Sequence, residues 1–406
     1  MHCRFCDTQL SHVFADLDLA PPSNSYLRPT DLNAPEVFYP LKIWTCESCF
    51  LTQIDEFKSH DEIFSEDYAY FSSFSSSWVA HAKRFVGDMA AEFGLNEDSR
   101  IVEVASNDGY LLQHAKAMGI PCLGVEPTAS TAKAAREKGI ETCELFFGKA
   151  TAKQLADEGW HADLTAANNV LAHVPDINDF LGGFKILLKE KGVASFEFPH
   201  LLQLVQNNQF DTIYHEHFSY LSLLTVQKIA EAQGLEVFHV QEIPTHGGSL
   251  RVLMSHKGAH AVRSSVAEVL GKERAAGMDS LAFYDGFQKA VDKVRLEFLE
   301  FLISAKKAGK TIAGYGAAAK GNTLLNYSGV KTGFVDYVCD LSPHKQGLLL
   351  PGSHIPVVSP DKLAETKPDY IVIFPWNLRE EVTKQLAYAR EWGAKFVVAI
   401  PKLEVF

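Results

Sequence analysis

The sequence predicts an α/β protein in three parts: a small metal-held N-terminal module, a central open-sheet α/β domain, and a smaller C-terminal α/β domain. Three observations predict it. Four of the seven cysteines fall in two close pairs, Cys3/Cys6 and Cys46/Cys49. Short apolar runs then alternate with helical patterns in two separate stretches, the signature of parallel sheets covered on both faces. At 406 residues the chain also exceeds what one core organises. The boundaries expected are residues 1–65, 66–260 and 261–406.

The elements follow in chain order. A two-residue spacer lets both sulfurs of a cysteine pair face one point, and four thiolates suit a tetrahedral zinc ion. Around them, the loop-like Leu19–Ser25 and strand-like Phe38–Trp44 fit a small β-rich ribbon. An aromatic, serine-rich stretch, Asp67–Ser75, has no clean period and reads as a linker or lid. Its Tyr68 and Tyr70 are site candidates. Trp78–Gly94 is amphipathic at helical spacing. Strands are expected at Arg100–Val104, Cys122–Glu126, Glu141–Glu144, Asp163–Ala167 and Val193–Phe198, with a helix over Ser130–Lys138. A long helical region spans Ser280–Lys307. The alternation then restarts with strands at Lys310–Tyr315, Phe334–Asp340, Asp369–Phe374 and Lys395–Ile400. Cys122, Cys143 and Cys339 lie in or beside apolar runs and read as buried core thiols.

Composition narrows the function classes. The 47% hydrophobic and 22% charged content is that of a globular protein. No apolar run reaches the roughly 18 residues of a membrane helix, and the N-terminus lacks a signal-peptide core. A cytoplasmic location is expected, with no membrane partner. The net charge of −12 argues against a nucleic-acid partner, but a local nest of amides can still hold a small anion.

Chemistry concentrates in Tyr214-His215-Glu216-His217-Phe218-Ser219-Tyr220-Leu221. Imidazole titrates nearest neutrality, so His217 is the natural proton acceptor, Glu216 its orienting carboxylate, and Tyr214 a donor to a developing oxyanion. In a helical turn Tyr214 and His217 face together; in an extended backbone Tyr214 and Glu216 do. A rival reading is a metal shared by His215 and His217 with Glu216.

Two glycine loops flank this cluster. The first apolar strand ends in Ala105-Ser106-Asn107-Asp108-Gly109, after Glu103, and Glu126 ends the next strand where an acid can accept both ribose hydroxyls. Asn168–Asp176, containing His173, follows the fourth strand. This layout resembles class I S-adenosylmethionine-dependent methyltransferases, with Ala105 and Asn107 standing where such enzymes often carry glycine. On pattern alone NAD competes. The second loop, Gly314-Tyr315-Gly316-Ala317-Ala318-Ala319-Lys320-Gly321, fits the dinucleotide fingerprint in its Gly/Ala form, with Lys320 as a cation and Asp340 as a ribose reader. Its ligand is NAD or another nucleotide diphosphate. Thr245–Arg251 reads as a polar, glycine-rich turn ending in Arg251, a candidate phosphate or carboxylate contact.

Taken together, these motifs make the chain resemble, over essentially its whole length, the sugar-nucleotide C-methyltransferases. The resemblance implies an N-terminal zinc module, a central Rossmann-like domain binding S-adenosylmethionine and a smaller Rossmann-like C-terminal domain holding a nucleotide-linked keto-deoxysugar. It implies methylation at C-3 of a 4-keto-6-deoxyhexose. Catalysis falls to Tyr214, Glu216 and His217, with His173 and Tyr68, Glu216 either orienting His217 or binding a sugar hydroxyl. Glu103, Ala105, Asn107, Gly109, Glu126 and Asn168 are expected around the methyl donor, and Gly314, Gly316, Lys320, Arg251 and Tyr70 around the sugar nucleotide. An NAD-dependent oxidoreductase or epimerase acting on a nucleotide-sugar is the alternative.

Overall fold

The computed structural model describes residues 1–57 and 71–406. The N-terminal module is an antiparallel sheet of β1 (His12–Ala20), β2 (Tyr39–Thr45) and β3 (Thr52–Ile54). Its fourth strand, paired with β3, is Ser219–Tyr220 from the middle of the chain. Inward residues such as Phe14, Leu17, Leu41 and Ile43 are buried and belong to a hydrophobic cluster that continues into the rest of the chain.

The central domain carries β4 (Ile101–Val104), β5 (Cys122–Val125), β6 (Thr142–Cys143), β7 (Ala162–Asn168) and β8 (Leu188–Pro199). After β9 (Ser219–Tyr220) come β10 (Leu235–Ile243) and β11 (Ser249–His256). The order is β10-β11-β8-β7-β4-β5-β6, parallel except for β11, which runs antiparallel to both neighbours. All four residues of β4 are buried, as a central parallel strand demands. The order reverses between β4 and β7, and the carboxyl ends of these strands open the crevice where ligands bind in such sheets.

The C-terminal sheet contains β12 (Ile312–Tyr315), β13 (Val338–Cys339), β14 (Val357–Val358), β15 (Tyr370–Ile373), β16 (Lys395–Val398) and β17 (Glu404–Val405). Its order, β14-β13-β12-β15-β16-β17, puts a second switch point at β12. The helix Phe287–Lys307 enters this domain with Phe287, Val291, Val294, Phe298, Leu302 and Ala305 buried on one face, at helical spacing. Phe287 stacks on Phe14 of the N-terminal module at 4.5 Å. One hydrophobic cluster runs from Leu41 through Phe196 and Phe298 to Val372, joining all three sheets.

The expected helix at Trp78–Gly94 is Ser76–Phe93, capped by the Ser75 hydroxyl and stopped at Gly94 in the left-handed region. Three expectations change. Ser280–Lys307 is helical only from Phe287, after a short 3-10 turn at Leu281–Phe283. Phe334–Asp340 contributes only Val338–Cys339 as strand. Ser249–Arg251 is the start of β11 rather than the end of a turn. Of the singleton thiols Cys339 is buried, while Cys122 and Cys143 are half-buried at strand ends.

Candidate active site

The four cysteine sulfurs lie within 4.8 Å of one another, with Cys3–Cys49 and Cys6–Cys46 at 3.5 Å. Sulfurs placed about 2.3 Å from a tetrahedral zinc ion would stand slightly under 4 Å apart, so the donor set fits zinc. Gln53 Nε2 donates to Cys3 Sγ at 3.2 Å, the kind of outer hydrogen bond that fixes a thiolate. Four thiolates leave no open position, which makes this site structural. No other group of three or more His, Cys, Asp or Glu side chains gathers this way among the described residues. His215, offered as a second metal ligand, instead bonds the Pro40 carbonyl at 3.2 Å.

The first glycine loop is built as its chemistry requires. Ala105, Asn107 and Gly109 have φ of 54°, 49° and 75°. The left-handed backbone is therefore kept at Ala105 and Asn107 despite their side chains, and Asn is among the residues that tolerate it best. A side chain at Gly109 would also press on Ile140 at 3.1 Å. Glu126, at the end of β5, accepts hydrogen bonds from Asn107 N at 2.8 Å and Thr128 N at 3.0 Å, which points its carboxylate over the loop. Glu103 is buried, and desolvation holds its carboxyl well above the usual range against a hydrogen bond from Tyr110. Asn168, 8% exposed at the end of β7, has neither Oδ1 nor Nδ2 hydrogen-bonded. A buried amide with both ends unmet awaits a polar ligand. Ribose hydroxyls over Glu126 and the polar methionine end of S-adenosylmethionine by Asn168 fit these groups.

The acid–base stretch adopts the helical-turn alternative. His217 N bonds Tyr214 O at 2.9 Å, so the two side chains share a face, their ring centroids 4.0 Å apart. His217 Nδ1 lies 2.8 Å from the Thr212 carbonyl, an acceptor only, so Nδ1 carries the proton. Nε2 is then a lone pair, and the Tyr214 hydroxyl donates to it at 2.8 Å. Burial pushes His217 well below the ordinary histidine range, with His173 adding to the shift. His173 meets His217 edge-on at 4.6 Å, and burial lowers it to about 4. Both imidazoles are neutral at pH 7.

Glu216 is not the orienter of His217. Its Oε1 accepts from Asn24 N at 3.1 Å and Asn24 Nδ2 at 3.2 Å, and the Thr212 carbonyl sets the tautomer in its place. A main-chain carbonyl leaves no mark in a sequence. Three further side chains, none of them expected in the site, lie near this turn. His246, held at φ 55°, bonds Asn169 Nδ2 through Nε2 at 3.2 Å and lies 5.4 Å from the Trp78 ring. Burial lowers His246 to about 4. Buried Asp211 accepts from Trp376 Nε1 at 2.7 Å, and desolvation raises its carboxyl to about 7. The signal for His246 was its place in the noted Thr245–Arg251 stretch; Asp211 and Trp376 gave none.

The second loop brings Lys320 to this cluster. Its ammonium bonds Asn377 Oδ1 at 3.1 Å, lies 4.6 Å above the Trp376 ring, and acts electrostatically on Asp211, His217 and His246. The loop glycines are set by packing: a side chain at Gly314 would strike Phe374 at 2.5 Å, and one at Gly316 would strike Pro375 at 2.5 Å. Asp340, expected to read a ribose, spends Oδ2 on Ala317 N and Oδ1 on Ser342 N, both at 2.8 Å. Asp340 thus holds its loop through both oxygens, as Glu126 holds the first loop. Arg251 is likewise committed elsewhere. From β11 it donates to Glu197 at 2.7 Å through Nε and at 2.6 Å through Nη2, and to Gln241 at 3.0 Å. His81 completes that buried network at 2.8 Å from Glu197. Tyr68 and Tyr70 lie outside the described residues.

Comparisons with known proteins match the chain along nearly its whole length. Residues 3–64 match a family model described as a zinc-binding domain, 78–240 a methyltransferase domain, and 244–401 a C-methyltransferase C-terminal domain. The chain is 33% identical over 404 residues to C-methyltransferase NovU from Streptomyces niveus, covering 99% of this chain and 96% of that protein. Solved structures matched include an S-adenosylmethionine-dependent methyltransferase from Anabaena variabilis (TM-score 0.39, 15% identity, 50% of this chain and 100% of that one). Another is magnesium protoporphyrin IX methyltransferase from Synechocystis with bound SAH (TM-score 0.35, 14% identity, 44% and 83%). Near-complete coverage by one relative, with the three models in this order, leads to one conclusion: the chain belongs to the C-methyltransferase family that includes NovU, and is an S-adenosylmethionine-dependent methyltransferase with a structural zinc site.

Proposed function

We propose that this enzyme methylates carbon 3 of a nucleotide-linked 4-keto-6-deoxyhexose through an enolate. The observation that carries the reading is the fixed tautomer of His217, whose Nε2 lone pair is held beside a phenol donor. The ketone acidifies the neighbouring C–H. His217 Nε2 takes that proton and becomes imidazolium. The C–H electron pair moves into the enolate, whose oxygen receives a hydrogen bond from Tyr214, while His173, its N–H toward the Glu216 main chain, packs against the His217 ring. S-adenosylmethionine, when bound, supplies an electrophilic methyl group, which the enolate carbon receives as the carbon–sulfur bond breaks. His217 then returns its proton to solvent. Glu103, Ala105, Asn107, Gly109, Glu126 and Asn168 hold the methyl donor, and the Gly314–Gly321 loop with Lys320 faces the sugar nucleotide. Alignment and proton removal are the protein's main contributions, because the sulfonium is already reactive. The reading includes a cytoplasmic site of action, where a reducing pool keeps four cysteines as metal ligands.

Replacing His217 with Asn keeps a polar side chain and removes the base. Turnover should fall about 10²–10⁴-fold, the usual worth of a positioned general base. S-adenosylmethionine binding, followed by calorimetry, should not change. Mass spectrometry of the wild-type product should show one added methylene unit, with loss of deuterium from the ketone's alpha carbon. A variant that turns over at the wild-type rate would remove His217 from this role.

A further inference from the structure

The N-terminal module reaches into the site through the loop that follows β1. Asn24 donates its main-chain N and its side-chain Nδ2 to the same oxygen of Glu216. Two further bonds pin the loop to the C-terminal domain. Asn322 Nδ2 donates to Ser23 O at 2.6 Å, and the Tyr26 hydroxyl donates to Ala317 O at 2.5 Å within the second glycine loop. The loop therefore lies between the catalytic turn and the element that faces the sugar nucleotide.

Glu216 is 3% exposed, and its second oxygen, Oε2, has no hydrogen-bond partner. Burial raises its carboxyl above the usual range, while its own main-chain amide, the two Asn24 donors and the Ser23 amide pull it back down. A buried carboxylate oxygen without a donor is costly unless something polar arrives to meet it. With Oε1 taken twice by one residue, only Oε2 is left to meet it. Side-chain rotation would break both Asn24 bonds, so the orientation is fixed.

We propose that Asn24 is a positioning residue of the active site, holding Glu216 so that Oε2 accepts a hydroxyl of the bound sugar ring. The zinc module is thereby a wall of the sugar site and not only a folding device. The proposal rests on the reading of a hydroxylated sugar substrate given above. Asn24 acts through Glu216, so its effect belongs to sugar binding and not to the methyl donor.

The test is a double-mutant cycle on the full-length, zinc-loaded enzyme with Asn24→Ala, Asn24→Asp, Glu216→Gln and the pair Asn24→Ala/Glu216→Gln. Asn24→Ala should raise KM for the keto-sugar nucleotide about tenfold, the worth of one hydrogen bond to a charged group. KM for S-adenosylmethionine and the zinc content should stay at wild-type values. Asn24→Asp is isosteric but sets a carboxylate against a carboxylate, so its KM should exceed that of Asn24→Ala. The pair should be no worse than Glu216→Gln alone, because residues acting in series are not additive. Additive losses in the pair, or a wild-type KM in Asn24→Ala beside an impaired Glu216→Gln, would overturn the role of Asn24. A Glu216→Gln enzyme with wild-type constants would overturn it differently, by removing Glu216 from the sugar site.

Discussion

Tyr214→Phe separates the observed role of this phenol from its proposed one. In the resting enzyme its hydroxyl lies 2.8 Å from His217 Nε2 and occupies the lone pair that must take the substrate proton. In the proposed mechanism it is also the donor to the enolate oxygen. Phenylalanine keeps the ring packed at 4.0 Å against the imidazole and removes only the oxygen. The loss to stability is one hydrogen bond between neutral, half-buried groups, about 0.5–1.5 kcal/mol. That is a shift of a few degrees in Tm for a domain of this size. The loss to catalysis is that of an oxyanion donor, about 2.7–4 kcal/mol or 10²–10³ in kcat. The two magnitudes are far enough apart to be read independently. The assay is initial rate by mass spectrometry of methylated product, with a thermal melt beside it. Removing a donor to the neutral imidazole also moves the acid limb of the rate profile upward. A kcat within about threefold of wild type would refute the oxyanion role, since no donor of the cited strength can be lost so cheaply.

Three further outcomes follow from the same geometry. Because burial holds His217 well below 6.5, the base is already neutral at pH 7. The rate should therefore stay level as pH falls through 6.5 and drop only below it, as a pH–kcat/KM profile will show; a limb centred at 6.5 would contradict it. Gly247→Ala adds a Cβ 2.3 Å from the Trp376 ring at φ 89°, so the His246 turn must shift. Backbone strain of about 1–3 kcal/mol and loss of most activity are expected, measured by thermal melt and rate. Buried Glu273 accepts from His200 at 2.7 Å and from the helix amides of Leu223 and Leu224 at 2.6 and 2.7 Å. Glu273→Ala strands all three donors, and denaturant unfolding should show about 3–5 kcal/mol lost.

What the sequence made legible was whatever repeats at short range. The Cys3/Cys6 and Cys46/Cys49 pairs name their ion by spacing, and apolar runs such as Ile101–Val104 announce central parallel strands. The density of proton-handling groups at Tyr214–His217 marked the turn that now holds a fixed imidazole. What escaped depends on long-range contact. Arg251 read as a cation at the end of a turn because nothing local reveals that Glu197, on the neighbouring strand, takes its guanidinium. The hold of Asp340 on the second loop escaped too, because its bond to Ala317 N forms only when β13 lies beside β12. The two-residue strands β14 and β17 are too short to show a period, and Thr212 acts through its main chain. Asn24 sat in a stretch read as plain loop, and its partner lies far along the chain.

The pairing of β3 with β9 has a consequence for how this architecture can be recombined. Thr52 faces Tyr220 and Gln53 faces Ser219, so the first sheet borrows its last strand from the segment that carries His217. A chimera that exchanges the first 57 residues between relatives would graft three strands onto a foreign fourth. Productive crossover points must move residues 214–221 together with the amino-terminal block, and the two pieces should vary in concert across evolution.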